Sequence, residues 1–181
     1  MGGEAFAGTN FTEITLSSNT IVLPSKIFYG CSNLETVNGL GSNITNYCAQ
    51  CFQGCVKFTG PSNFTNVTEI GNSAFQNTKI TSVTLDNDVT LGNDVFAECN
   101  SLLSVAMPEQ TAIGAGAFGY DTNLNTVSMP SVQTIHGWAF NNCPNLETVT
   151  MPSSITLTAG ERNHFNNCQK LLFPTPLTIN Y

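Results

Sequence analysis

Phenylalanine recurs at almost even intervals along this chain, at Phe6, Phe28, Phe52, Phe75, Phe96, Phe118, Phe140 and Phe165, in steps of 22, 24, 23, 21, 22, 22 and 25 residues. A period of this length means that one short supersecondary unit is stacked on copies of itself. Each copy buries its apolar residues only because a neighbour covers them.

Counting from each phenylalanine sets the register. An aliphatic residue stands five positions before it, as in Leu23, Ile70, Leu91, Ile113 and Ile135. A small or apolar residue stands immediately before it (Ala74, Val95, Ala117, Ala139), and cysteine often stands three after it, as Cys31, Cys55, Cys99, Cys143 and Cys168. A triplet follows at plus six, nine and eleven: Leu102, Val105, Met107, then Leu124, Val127, Met129, then Leu146, Val149, Met151. Valine and methionine two apart, with a polar residue between, carry the period-two signature of a half-buried strand, so one short strand per coil is expected. Proline and glycine at Pro108, Pro130, Pro152, Gly71, Gly92 and Gly114 supply turns. The segment around each phenylalanine has room for no more than a helical or 3₁₀ turn. Successive strands then lie side by side and parallel, about 4.8 Å apart, and eight such coils make a rod or shallow arc roughly 35 to 40 Å long.

Two regions depart from the pattern. After Phe52 the triplet is replaced by Phe58, Pro61 and Phe64, and in the final coil, residues 153–181, an insertion spanning Thr158 to Asn163 precedes Phe165 while Pro174 occupies the valine slot. Sheet regularity is expected to be poorest there. The 181 residues read as a single solenoid domain. The start within a coil at Glu4-Ala5-Phe6 and a last coil without a polar cap suggest a fragment of a longer array or end-to-end self-association. Pro174 and Pro176 blunt the last edge against such association.

The repeat leaves few charges for the surface. Only 9% of residues are charged, against about 25% in an average soluble protein, so asparagine, serine, threonine and glutamine must cover it. With 12 acidic and 5 basic residues the net charge is −7, which removes the electrostatic basis for binding nucleic acid or an anionic membrane. No stretch approaches the ~20 apolar residues of a membrane span. Asn10, Asn43, Asn63 and Asn66 each begin an Asn-x-Thr sequon and are candidate N-glycosylation sites.

Cys48, Cys51 and Cys55 have a spacing that suggests a metal or iron-sulfur site. The register argues otherwise: Cys55 falls in the ordinary cysteine slot, Cys51 in the slot of Ala74, and Cys48 in the slot of Gly71. They read as buried structural thiols. Disulfides between Cys31 and Cys55 or Cys143 and Cys168 remain open, although stacked side chains point the same way. His136 takes a tight-turn glycine slot and is expected exposed; His164 takes an alanine slot and is expected partly buried. Neither stands in a catalytic arrangement, so no enzymatic activity, cofactor or metal is expected.

Binding chemistry is best sought on the strand face. The residues that alternate with the buried triplet there are Glu13 and Thr15, Thr36 and Asn38, Ser82 and Thr84, Ser104 and Ala106, Thr126 and Ser128, and Thr148 and Thr150. Hydroxyls and amides both donate and accept, which suits polar contacts spread over several coils. Trp138, the single tryptophan, is a further candidate anchor for a partner.

The pattern Ile-Gly-x-x-Ala-Phe followed by Cys-x-x-Leu-x-x-Val-x-Met-Pro, as in Ile135 to Leu146, resembles the BspA-like leucine-rich repeats of bacterial and protist surface or secreted proteins. The resemblance runs from Phe6 to about Phe173. It implies a leucine-rich-repeat solenoid, a right-handed superhelix with a parallel sheet lining one face. It further implies adhesion to a host or microbial surface protein, a matrix protein or a glycan. Two other readings stay open: a spacer or stalk with no ligand of its own, and an ice or crystal-surface binder suggested by Thr148-Val149-Thr150, whose array Ala106, Asn38 and Glu13 interrupt.

Overall fold

The computed structural model describes residues 2–41, 43–61, 63–157, 163–172 and 178–180. Its strands, in chain order, are β1 (Glu13–Thr15), β2 (Val22–Leu23), β3 (Thr36–Asn38), β4 (Asn46–Tyr47), β5 (Glu69–Ile70), β6 (Ser82–Thr84), β7 (Thr90–Leu91), β8 (Ser104–Ala106), β9 (Ala112–Ile113), β10 (Thr126–Ser128), β11 (Thr134–Ile135), β12 (Thr148–Thr150), β13 (Ser154–Leu157) and β14 (Thr178–Asn180). Every pairing is parallel, and the chain forms a β-solenoid.

Two ladders run along the solenoid, where one strand per coil is expected from the triplets. The three-residue strands form β1-β3 and β6-β8-β10-β12, with Val83, Val105, Val127 and Val149 in register. The second ladder, β2-β4-β5-β7 and β9-β11-β13-β14, holds the aliphatic slot five before each phenylalanine: Leu23, Ile70, Ile113 and Ile135 are fully buried in it. Complete turns are also fewer than the eight phenylalanines suggest. Six coils contribute a strand to the first ladder among the described residues, β1, β3, β6, β8, β10 and β12. The coil after Phe52 has none, because Pro61 offers no N–H to a ladder. Its Phe58 and Phe64 remain buried, and Phe58 stacks on Phe52 at 4.3 Å. The insertion at Thr158 and the prolines Pro174 and Pro176 lie outside the described residues, apart from Asn163.

The phenylalanine segments are hydrogen-bonded turns, not the helical or 3₁₀ pieces expected. Two residues per coil, two before and two after the phenylalanine, take the left-handed conformation, as in Lys26 (φ 56°) and Gly30 (φ 69°), or Trp138 (φ 58°) and Asn142 (φ 57°). A right-handed helix cannot pass through such a pair. Alternate N–H groups point at the next coil instead: Lys26 N–H to Ala49 O at 3.0 Å, Phe28 N–H to Cys51 O at 2.9 Å and Gly30 N–H to Gln53 O at 2.8 Å. The turn segments are thus a third bonded face.

The eight phenylalanine rings stack in one continuous column, with neighbouring centroids 5.1 to 5.8 Å apart and planes within 22° of parallel. Beside the column runs a rail of thiols. Cys31, Cys55, Cys99, Cys143 and Cys168 each donate to the carbonyl of an earlier coil's phenylalanine, at 2.9, 3.0, 3.1, 3.1 and 3.0 Å.

Candidate partner-binding surface

In-register pairing lines up the outward residues of the strand face into two rows. Ser82, Ser104, Thr126 and Thr148 form one, and Thr84, Ala106, Ser128 and Thr150 the other. Each is exposed or half-exposed while the valine between them is buried. Both rows belong to a single four-stranded sheet, so the expected hydroxyls are brought together there at a spacing of about 4.8 Å.

Thr36 and Asn38 lie apart from them on the two-stranded sheet β1-β3, where the Asn38 amide is already engaged with the Glu13 carboxylate and with Thr15 Oγ1. Between the two sheets the missing strand leaves a notch of about 350 Å³, walled by Thr36 and Asn38 on one side and Phe58 and Pro61 on the other. Trp138 is not on this surface at all. It projects from the turn segments, beside Tyr120.

The sequon asparagines Asn10, Asn43, Asn63 and Asn66 are all exposed. Asn43 Nδ2 donates to Ser18 O at 2.8 Å, and Asn63 Oδ1 accepts from Thr65 N–H at 3.3 Å and from Thr65 Oγ1–H at 3.1 Å.

The seven cysteines are free thiols. Cys51 and Cys55 donate to different carbonyls, Ala74 O at 3.7 Å and Phe28 O at 3.0 Å, and burial pushes the Cys51 thiol up and the Cys55 thiol up to about 12. Neutral thiols of this kind are neither nucleophiles nor ligands. Among the described residues no group of three histidine, cysteine, aspartate or glutamate side chains is placed to hold a metal ion. His136 is half-buried where exposure is expected, because its slot faces the preceding coil, and His164 is buried.

Sequence reasoning misses one residue of consequence. Asp121 occupies the cysteine slot of its coil, between Cys99 and Cys143, and is fully buried with neither carboxylate oxygen hydrogen-bonded. An acid in place of a cysteine was the available signal.

The family model for the BspA type leucine-rich repeat region matches the chain in six copies, over residues 1–103 and 90–175. The chain belongs to the BspA type leucine-rich repeat family. Among solved structures, this BspA-type chain is similar to a leucine-rich repeat protein from Bacteroides ovatus, at 26% identity and TM-score 0.73, covering 81% of this chain and 39% of that one. It is also similar to the T. pallidum leucine-rich repeat protein, at 25% identity and TM-score 0.74, covering 92% and 79%. A leucine-rich repeat protein from Eubacterium ventriosum shares the fold at 17% identity and TM-score 0.66, covering 98% of this chain and 65% of that one. The chain therefore spans well under half of the Bacteroides protein. No curated protein matches it. Among the described residues no helix is long and apolar enough to cross a membrane.

Proposed function

We propose that this BspA-type repeat chain is a non-enzymatic recognition module, displayed at a cell surface or secreted, that binds a protein or glycan partner through the strand-lined face. The observation that carries this is the pair of rows on β6, β8, β10 and β12, hydroxyls at every position but Ala106, uncharged and in register across the sheet. Hydroxyls on that repeat match a ligand that is itself repetitive and polar, such as an extended peptide or an oligosaccharide. The same face has no arginine and no aromatic anchor, so a single contact is weak. Display in many copies raises the effective affinity by about 10² to 10⁴.

The test is a binding screen of the chain, immobilised at high valency, against matrix proteins, mucins and a glycan array. A variant carrying Thr126→Glu, Thr148→Lys, Ser128→Lys and Thr150→Glu puts opposite charges across the paired strands, so folding survives while the uncharged surface does not. Binding that the variant loses supports the reading. Binding that the variant keeps removes the strand face. A folded chain that binds nothing at high valency favours the spacer reading, which the absence of anchors on this face already supports.

A further inference from the structure

The turn face offers a second, chemically different surface. Successive coils place the residue after each phenylalanine in a row, where carboxamides start a rail: Gln53 Nε2 donates to Gln76 Oε1 at 2.6 Å; in the next coil that slot is Ala97, and Gln76 Nε2 donates instead to Oε1 of the adjoining Glu98 at 2.9 Å. Beyond Glu98 the rail stops. The next residues are Ala97, Gly119 and the neighbouring Gly116, all buried, and over them opens a depression of about 290 Å³.

Besides the carboxamides of Gln76, Asn93 and Asn141, four side chains of two kinds line it. Trp138 and Tyr120 stand 47% and 54% exposed, and both are held in the left-handed conformation, at φ 58° and 64°. Bulky aromatic residues rarely adopt that geometry; in other coils the slot of Trp138 holds residues such as Lys26, Gln50 and Ser73, and that of Tyr120 holds Gly30, Gly54 or Asn77. The other two are the carboxylates of Asp94 and Glu98. Any side chain at Gly116 would collide with Asp94 Oδ1, so this carboxylate lies over the floor of the depression. Among the described residues no lysine or arginine lines it.

We infer that this depression is a binding site for an organic cation, the guanidinium or alkylammonium group of an arginine or lysine side chain presented by a partner protein. Two like-charged carboxylates at one depression, with no counter-ion among the described residues that line it, are relieved by a cation, and a neutral sugar leaves their repulsion in place. Partial desolvation of Asp94 and the charge of Glu98 both hold the Asp94 carboxyl above its usual range, as that repulsion requires. The faces of Trp138 and Tyr120 attract the same cation. The volume admits one such side chain, so the site reads a single basic residue. It lies on the turn segments and is independent of the hydroxyl rows.

Trp138 is the single tryptophan, so its fluorescence reports the site directly. The full chain is titrated with Nα-acetylarginine amide and Nα-acetyllysine amide, with the citrulline analogue and glucose as neutral controls. Saturation-transfer NMR on the probe methylenes is the second measurement. The expected result is saturable binding in the millimolar range by the cationic probes, weakened by salt and by about tenfold in Asp94→Asn with Glu98→Gln. The strand-face variant should bind them unchanged. Equal binding of citrulline or glucose, persistence in the double amide variant, or no response in either measurement at tens of millimolar would overturn the assignment. The amide substitutions keep side-chain shape, and an unchanged thermal transition confirms that a loss is local.

Discussion

At the scale of single residues, the most consequential departures from the repeat are polar atoms that the core leaves without partners. Asp121 replaces a thiol that in neighbouring coils bonds a phenylalanine carbonyl, and burial, opposed by the Cys99 backbone and reinforced by the charge of Glu98, pushes its carboxyl well above the usual range. The folded acid keeps its proton to higher pH than the unfolded one, which ionises near pH 4. The unfolded state therefore binds fewer protons above that value, and folding stability falls as pH rises from about 4 toward the raised value. Asp121→Cys should remove this loss and complete the thiol rail, raising stability at pH 7 by about 1 to 3 kcal/mol. Urea midpoints of both proteins at pH 4 and pH 7 check it: the gap must widen with pH, and a constant gap would sink the assignment. Tyr47 presents the simpler case, a buried hydroxyl without a hydrogen-bond partner, so Tyr47→Phe should leave stability equal or higher. A calorimetric fall in the midpoint for Tyr47→Phe would contradict this.

At the scale of the element, the phenylalanine column decides how coils join. Phe118 lies 5.5 Å from Phe96 and 5.4 Å from Phe140, in planes 11° and 7° from its own, and is fully buried. Phe118→Ala should destabilise by about 3 to 5 kcal/mol, because rings held on both sides cannot collapse into the space. Denaturant unfolding measures this, and a loss well below that range would contradict the register. The column and the strands β6, β8, β10 and β12 were legible in the sequence, since three residues with a buried middle suffice to show period two. The second ladder was not: Thr134-Ile135 is a pair, and a pair has no period. The left-handed turns were hidden because residues such as Lys26 and Trp138 stand where glycine would have announced them. For the same reason the hydroxyl rows could be read from alternation along one strand, while the depression beside Trp138 could not, being assembled from residues a full coil apart.

At the scale of the whole molecule, each ladder is broken once among the described residues, and the breaks are staggered. The three-residue strands lose continuity between β3 and β6, where β4, β5 and β7 remain bonded; the second ladder breaks between β7 and β9, where β6, β8 and β10 remain bonded. At the second break side chains replace the backbone pairing. The buried Gln110 carboxamide accepts from Val89 N–H at 3.1 Å and donates to Val89 O at 2.7 Å and Ala112 O at 2.8 Å, while Asp88 accepts from Thr111 N–H at 3.1 Å and Oγ1–H at 2.8 Å. Stability in a solenoid is a sum over coils and their interfaces, so cooperativity is only as strong as the weakest interface. Gln110→Leu keeps the volume but leaves Val89 N–H and C=O buried and unbonded, which should destabilise the chain by about 2 to 4 kcal/mol. The deficit falls at one junction, so the coils before β7 and after β9 should separate in stability. Urea unfolding followed by Trp138 fluorescence, which reports the later coils, and by far-ultraviolet circular dichroism, which reports all of them, should coincide for the parent chain. The two transitions should diverge for Gln110→Leu, with amide exchange rising unequally on the two sides of the break. Coincident transitions in the variant would mean that the phenylalanine column alone carries cooperativity across the gap, and that the Gln110 stitch adds stability without joining the halves.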